Sequence, residues 1–285
     1  MSGENAPQDN NHSVPIIGYH RAPLTQKFGA PRQPNLVALT SVIEMLAPYD
    51  TPAAFVGLEA FSHIWVSWQF HQNYINKENS VNKADSSFRP QVRPPRLGGN
   101  QKIGVFASRS MYRPSSLGLS VVKLERIEVV QGRVLLVISG ADMIDATPIV
   151  DIKPYVAYSD AIAHAESGFA PAAPTLLEVT ITEVAYGQFI SLIDAEKSNE
   201  NSDKSGNKNI VTEPATVAAF INNIQNELLV SDIDVIKSLI AQDPRPAYRR
   251  HDKKTSFVMR YKSVDITFQL IESGQLQIIA IVDMS

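Results

Sequence analysis

The sequence contains no cysteine. That absence excludes disulfides, thiolate nucleophiles, zinc ribbons and iron–sulfur clusters together, and it is compatible with a reducing, cytoplasmic setting. Long apolar runs are also missing: no stretch approaches the roughly 20 residues that a bilayer-spanning helix needs, so no membrane association is expected. Met1 to Ser13 lack a basic region followed by an apolar run, and they read as a loose, disordered tail rather than a signal peptide. Strong charge of one sign is absent too. The 26 Lys and Arg against 29 Asp and Glu give a net charge of -3, which argues against indiscriminate coating of nucleic acid. Finally, there is no Walker loop, no Gly-x-Gly-x-x-Gly after a strand, no nucleophile elbow and no kinase signature, which disfavours a conventional Rossmann nucleotide site.

What remains is a chain of 285 residues with 44% hydrophobic content, long enough for one large or two modest domains. From Val14 to about Tyr155 the signals are short apolar runs, Leu36–Leu39, Ile64–Phe70, Ile103–Ala107, Val121–Val130 and Val134–Ile138, separated by Gly, Pro and Asn. Phe61 to His71 alternates best, with Ile64, Val66 and Trp68 assigned to the core face. Such strands suggest an antiparallel barrel or sandwich over residues 14–160 rather than a doubly wound sheet. Tyr158 to Pro174 is rich in Ala, Ser, Gly and Pro and reads as a connection. A small α+β unit is expected over 175–285. It comprises a strand at Leu176–Glu183, a helix after Pro214 and a helix capped by Ser231 or Asp232, followed by strands at Phe257–Tyr261, Val264–Ile271 and Leu276–Val282. The polar stretches Asn76–Ser87 and Lys197–Asn209 read as exposed insertions. The fold class expected is therefore mainly β with α+β: an N-terminal, non-Rossmann antiparallel β-barrel and a small C-terminal α+β domain.

Charge is distributed unevenly despite the near-neutral total. Between Asp85 and Glu125 the chain carries Arg89, Arg93, Arg96, Lys102, Arg109, Arg113 and Lys123 and no acid. A second basic cluster, Arg245, Arg249, Arg250, His251, Lys253 and Lys254, is interrupted only by Asp252. In Arg89-Pro90-Gln91-Val92-Arg93-Pro94-Pro95-Arg96-Leu97-Gly98-Gly99-Asn100, proline favours polyproline II, whose period of three places Arg93 and Arg96 on one edge suited to phosphate. Gly98-Gly99 lets a ligand approach the backbone, and Asn100 suits a base edge or a turn. The bland alternative is a stiff surface loop whose arginines pair with acids elsewhere. Pro31-Arg32-Gln33-Pro34 braces an Arg-Gln donor pair; Arg109 ends what reads as a buried strand from Gly104; His71-Gln72 ends the strand of Trp65 and faces ligand or solvent. His63 and His71 have no further ligands at metal spacing, so no metal is expected.

Together these segments carry a resemblance. Lys27 to Pro34, Gly57 to Trp65, Phe70-His71-Gln72, the arginine–proline segment through Asn100, Gly104 to Ser110, Val150 to Tyr155 and Gln242-Asp243-Pro244-Arg245-Pro246-Ala247-Tyr248 resemble the TsaA/TrmO family of bacterial tRNA N6-methyltransferases. The likeness runs from Ile16 to the last strand. It departs at the N-terminal tail, the two insertions and Ser115-Ser116-Leu117, where the family usually has Asn-Pro-Ile. The resemblance implies a β-barrel that binds S-adenosyl-L-methionine and a homodimer. It also implies methyl transfer to N6 of threonylcarbamoyladenosine beside the anticodon of threonine tRNA. It places the cofactor near Pro31, Arg32, Gln33, His71, Gln72, Arg109, Leu119 and Ser139, Gly140, Ala141 and Asp142. Arg93, Arg96, Asn100, Lys102, Arg113, Arg245 and Arg249 are then the candidates for tRNA, and no residue is assigned as general base. Two other readings stay open: a non-catalytic, cofactor-sensing RNA-binding module, and a methyltransferase with another acceptor.

Overall fold

The computed structural model describes residues 12–72, 88–203 and 216–284. The tail before His12 and the polar stretch Asn76–Ser87 lie outside the described residues.

Six strands close an antiparallel barrel: β1 (Gly18–Arg21), β2 (Thr40–Met45), β3 (His63–Gln69), β6 (Leu117–Val130), β7 (Arg133–Ser139) and β8 (Pro148–Pro154), in the order β1-β2-β7-β6-β3-β8. The alternation in β3 sets its pitch: Ile64, Val66 and Trp68 enter the barrel core with Met45, Val122, Leu124, Leu136, Ile138 and Ile149. Closure leaves no bare edge, because β3 pairs with β6 on one side and β8 on the other. The pairing of β3 with β6 requires glycine at 118: a Cβ there would lie 2.3 Å from the Trp68 ring. The run Val134–Ile138 is apolar at every position because β7 is covered on both faces. Leu136 and Ile138 point into the barrel, while Leu135 and Val137 pack with Val42 against Val217, Phe220 and Ile221 of α3 (Val217–Asn226). Thr216 starts α3 by accepting the Ala219 N–H through its hydroxyl at 3.1 Å.

A second sheet, ordered β10-β11-β12-β9, consists of β9 (Val179–Ile181), β10 (Phe257–Tyr261), β11 (Val264–Leu270) and β12 (Leu276–Asp283). Its core faces α2 (Glu183–Asp203) and α4 (Asp232–Ala241), and it also buries Leu24, Val37 and Leu39 from the loop between β1 and β2. Leu36–Leu39, expected as a strand, is thus a buried loop whose side chains serve the other core.

Other expectations are corrected here. The strand at 176–183 shrinks to Val179–Ile181, since Glu183 already begins α2. Lys197–Asn209 is not wholly an insertion: α2 continues through Asp203, and only the part beyond it lies outside the described residues. Ala185, Phe189 and Ile193 give α2 its buried stripe at helical spacing, and the Thr182 hydroxyl accepts the Ala185 N–H at 3.2 Å. At the start of α4 Ser231 stands at the N-cap position, as expected, but its side chain makes no cap hydrogen bond. The Asp232 carboxylate turns inward, accepting Tyr261 Oη–H at 2.7 Å, Lys262 Nζ at 2.7 Å and Leu229 N–H at 2.8 Å. Ile103–Ala107 is not one strand either: β5 (Ile103–Gly104) pairs with β4 (Gln91–Val92), and Val105–Ala107 forms a 3-10 turn.

Candidate functional site

Three segments far apart in sequence meet at the rim of the barrel. After β7 the chain turns at Gly140, whose φ is +81° and where a Cβ would lie only 2.5 Å from Asn35 Oδ1. Asn35 N–H donates to Gly140 O at 2.8 Å, and Asn35 Nδ2 donates to Val121 O at 2.9 Å, fixing the Pro31–Asn35 loop against the barrel. That loop presents Gln33, whose Oε1 accepts Arg109 Nη1 at 2.6 Å. Burial raises the Asp142 pKa from the ordinary carboxylate value, opposed by its hydrogen bond from Ser120 and, more weakly, by the charge of Arg109. Asp142 Oδ1 accepts Ser120 Oγ–H at 2.5 Å, and Ser120 Oγ accepts Trp68 Nε1–H at 3.0 Å. Gln33 and Arg109 thus bond each other at the rim, with the Asp142 carboxylate within electrostatic reach of Arg109.

His71 and Gln72, just past β3, are half-buried. Burial first, then the charge of Lys27, pushes the His71 pKa below its ordinary value, against the opposing pull of Asp145. That shift favours the neutral imidazole. Pro31 is buried, Arg32 donates Nη2 to Asp243 O at 3.4 Å, and Ala141 is packed in the barrel core, so Ala141 offers only its backbone. Ser139 donates to Glu125 Oε1 at 2.6 Å.

Leu119 is 56% exposed on the outer face of β6 and belongs to a different feature. It lines an open recess of about 490 Å³ with Trp65, Ser67, Lys153, Pro154 and Tyr158. Asp160 also lines it, accepting Val156 N–H at 2.9 Å and Trp65 Nε1–H at 2.9 Å, which hold its pKa below the usual carboxylate value. Of these residues only Leu119 was among the expected contacts. Trp65 had its signal in the outward parity of β3, and Lys153 and Pro154 in the Val150–Tyr155 motif.

The arginine–proline segment is exposed but not polyproline throughout. Pro94 keeps that conformation, with φ -64° and ψ 135°; Pro95 then starts a 3-10 turn that Gly98 ends at φ 70°. Arg93, Arg96, Asn100 and Lys102 are all exposed, and Arg96 bonds the Ala172 carbonyl. Arg113 donates to Ser108 O. Beside them stands an aromatic cluster. Phe106 is 69% exposed, Tyr112 51% and Phe88 46%, with Arg89 5.1 Å over the Tyr112 ring and Arg113 5.8 Å over Phe106. Arg249 is exposed next to Tyr248. Arg245 is not a surface cation: its side chain is 1% exposed and its Nε and Nη2 hold Asp243 at 2.7 and 3.3 Å. The cluster in which it lies reads as uniformly solvated, yet the adjacent Asp243 draws this one arginine inward.

A closed non-Rossmann barrel, with a polar rim and an exposed arginine–aromatic surface, defines a β-barrel protein equipped for a polyanionic partner. Comparison with known proteins narrows that class. The family model described as the tRNA-methyltransferase O N-terminal domain matches residues 19–161, and the TrmO C-terminal domain model matches residues 211–284. The chain belongs to the TrmO family. The putative S-adenosylmethionine-dependent methyltransferase RcsF of Pseudomonas aeruginosa is 37% identical over 256 residues, covering 90% of this chain and 91% of that protein. The tRNA (adenine(37)-N6)-methyltransferase of Escherichia coli K12 is 34% identical over 264 residues, covering 89% and 94%. The crystal structure of TrmO from Pseudomonas aeruginosa superposes with a TM-score of 0.63 at 29% identity, covering 95% of this chain and 98% of that one.

Proposed function

We propose that this protein is an S-adenosylmethionine-dependent tRNA methyltransferase that methylates N6 of the adenosine at position 37. We further propose that its substrate is the threonylcarbamoyl form of that base in threonine-accepting tRNA, and that it works as a homodimer. In this reading residues 14–160 form the cofactor-binding domain and 175–285 a smaller supporting domain. The observation that carries the proposal is the meeting of Gln33, Arg109 and Asp142 from three distant segments at the barrel rim, beside the exposed Phe106–Tyr112–Arg113 surface. Family membership and the relatives' activities support it.

The donor set suits the cofactor. Arg109 provides donors for a carboxylate, and Asp142 accepts from an ammonium or ribose hydroxyl. When bound, S-adenosylmethionine supplies an electrophilic methyl group. The protein's task is then to orient the acceptor nitrogen and exclude water. A nitrogen flanked by purine and carbonyl gives up its proton readily, so positioning outweighs strong-base catalysis. Exposed Phe106 and Tyr112 offer faces for unstacked loop bases, and Arg93, Arg96, Lys102 and Arg249 offer charge to phosphates. Mass spectrometry of tRNA nucleosides from a deletion strain tests the reading. Loss of the N6-methylated threonylcarbamoyladenosine is expected; an unchanged level would sink it.

A further inference from the structure

Asp243 sits in a left-handed conformation, φ +51°, at the end of α4, with its N–H on Ile240 O at 2.9 Å. Gln242 Nε2 donates to Leu36 O at 3.3 Å, pinning this turn to the loop that carries Arg32. Two guanidinium groups, those of Arg245 and Arg250, meet the Asp243 carboxylate, and a third, that of Arg32, meets its backbone carbonyl. Arg245, buried, takes both oxygens in a fork at 2.7 and 3.3 Å and still has Nη1 without a hydrogen-bond partner. Arg250 Nε approaches Asp243 Oδ2 at 3.3 Å as an ion-pair contact, and its side chain is 35% exposed. Arg32 reaches only the Asp243 backbone carbonyl, at 3.4 Å, and its side chain is exposed.

Asp243 brings one negative charge to the guanidiniums of Arg245 and Arg250, with Arg32 held at its carbonyl, so the cluster carries an excess of positive charge. The next acid along the chain, Asp252, is engaged elsewhere, accepting Thr255 Oγ1–H at 2.6 Å and Lys254 N–H at 2.9 Å. Desolvation and then repulsion from Arg250 lower the Arg32 pKa, while Asp243 raises it. Arginine does not relieve such crowding by deprotonating, so it recruits an anion instead. Two guanidiniums gathered at one residue match the oxygens of a phosphate or a carboxylate. Arg32 also adjoins Gln33, which bonds Arg109 in the rim.

We infer that Arg32 and Arg250, held in place by the buried Arg245–Asp243 pair, clamp one oxyanion of the RNA substrate at the junction of the barrel loop and the C-terminal turn. The chemistry is shared by two sources, a backbone phosphate and the carboxylate on a modified adenosine. This rests on the tRNA reading above. Its test is binding rather than turnover, so failure of the clamp and failure of methyl transfer are distinguishable.

Affinities of full-length wild type, Arg250→Ala and Arg250→Lys would be measured for S-adenosylmethionine, for tRNA purified from cells and for an unmodified transcript of the same tRNA, at several salt concentrations. Arg250→Ala is expected to bind purified tRNA about tenfold more weakly, with lysine restoring part of the loss and cofactor affinity unchanged. A loss on both RNAs with a shallower salt slope identifies a phosphate; a loss confined to the purified tRNA identifies the carboxylate. Unchanged tRNA affinity, or a loss of cofactor affinity in its place, would overturn the clamp. If Arg250→Ala fails to fold, Arg250→Gln read in the same assays carries the test.

Discussion

Acidification from pH 7 to pH 5 is expected to remove roughly 2 kcal/mol of stability through His20 alone. His20, on β1, is fully buried. Its Nδ1 lies 3.1 Å from Ile144 O and its Nε2 lies 2.8 Å from Ser41 Oγ, so the neutral ring donates to the carbonyl and accepts from the hydroxyl. Burial, opposed by the Ile144 bond and reinforced by nearby Arg21, lowers its pKa from 6.5 to about 4. Because the unfolded chain takes up the proton near 6.5 and the folded chain only near 4, the contribution is full above the unfolded value and is lost as pH falls through this window. At about 1.4 kcal/mol per pKa unit the full difference amounts to roughly 3 kcal/mol, most of it gone by pH 5. The assay is urea unfolding at pH 7 and pH 5 for wild type and His20→Gln. The variant removes the titrating group, so its stability should fall less between the two pH values by the same 2 kcal/mol or so. Equal pH sensitivity in the two proteins would refute the reasoning.

Other expectations follow from contacts already described. Asp232→Ala leaves the Lys262 ammonium, 8% exposed, without its carboxylate, and urea unfolding should show a loss of about 3–5 kcal/mol. Gly118→Ala drives a methyl group into the Trp68 ring and should lower stability by about 1–3 kcal/mol, with a visible change in near-ultraviolet circular dichroism. Phe106→Ala and Tyr112→Ala should each weaken binding of an anticodon stem-loop RNA by about 1–3 kcal/mol, if each ring stacks on one base, while leaving cofactor binding intact.

The parts of the fold that sequence makes legible are those in which one face governs the pattern. In β3 the inward Ile64, Val66 and Trp68 alternate cleanly with Trp65 and Ser67, and α4 buries Ile233, Ile236, Leu239 and Ile240 at the spacing read from the chain. α2 escapes because exposed Val184 and Tyr186 interrupt its stripe of Ala185, Phe189 and Ile193, and because its last turns are polar. Leu36–Leu39 misleads for another reason: apolar residues needed by a distant core give the same local run as a strand. At the rim, residue types are legible one by one, but the Gln33–Arg109 bond and the neighbourhood of Asp142 depend on barrel closure. The inward turn of Arg245 depends on Asp243 two residues before it, which a count of basic residues treats as absent.

Methyl transfer to tRNA is the activity to measure. Purified protein, isotopically labelled S-adenosylmethionine and tRNA from the deletion strain should yield label in a single nucleoside, N6-methylated threonylcarbamoyladenosine, after digestion and mass spectrometry. Cofactor binding without any transfer of label to tRNA, or label in a different nucleoside, would contradict it.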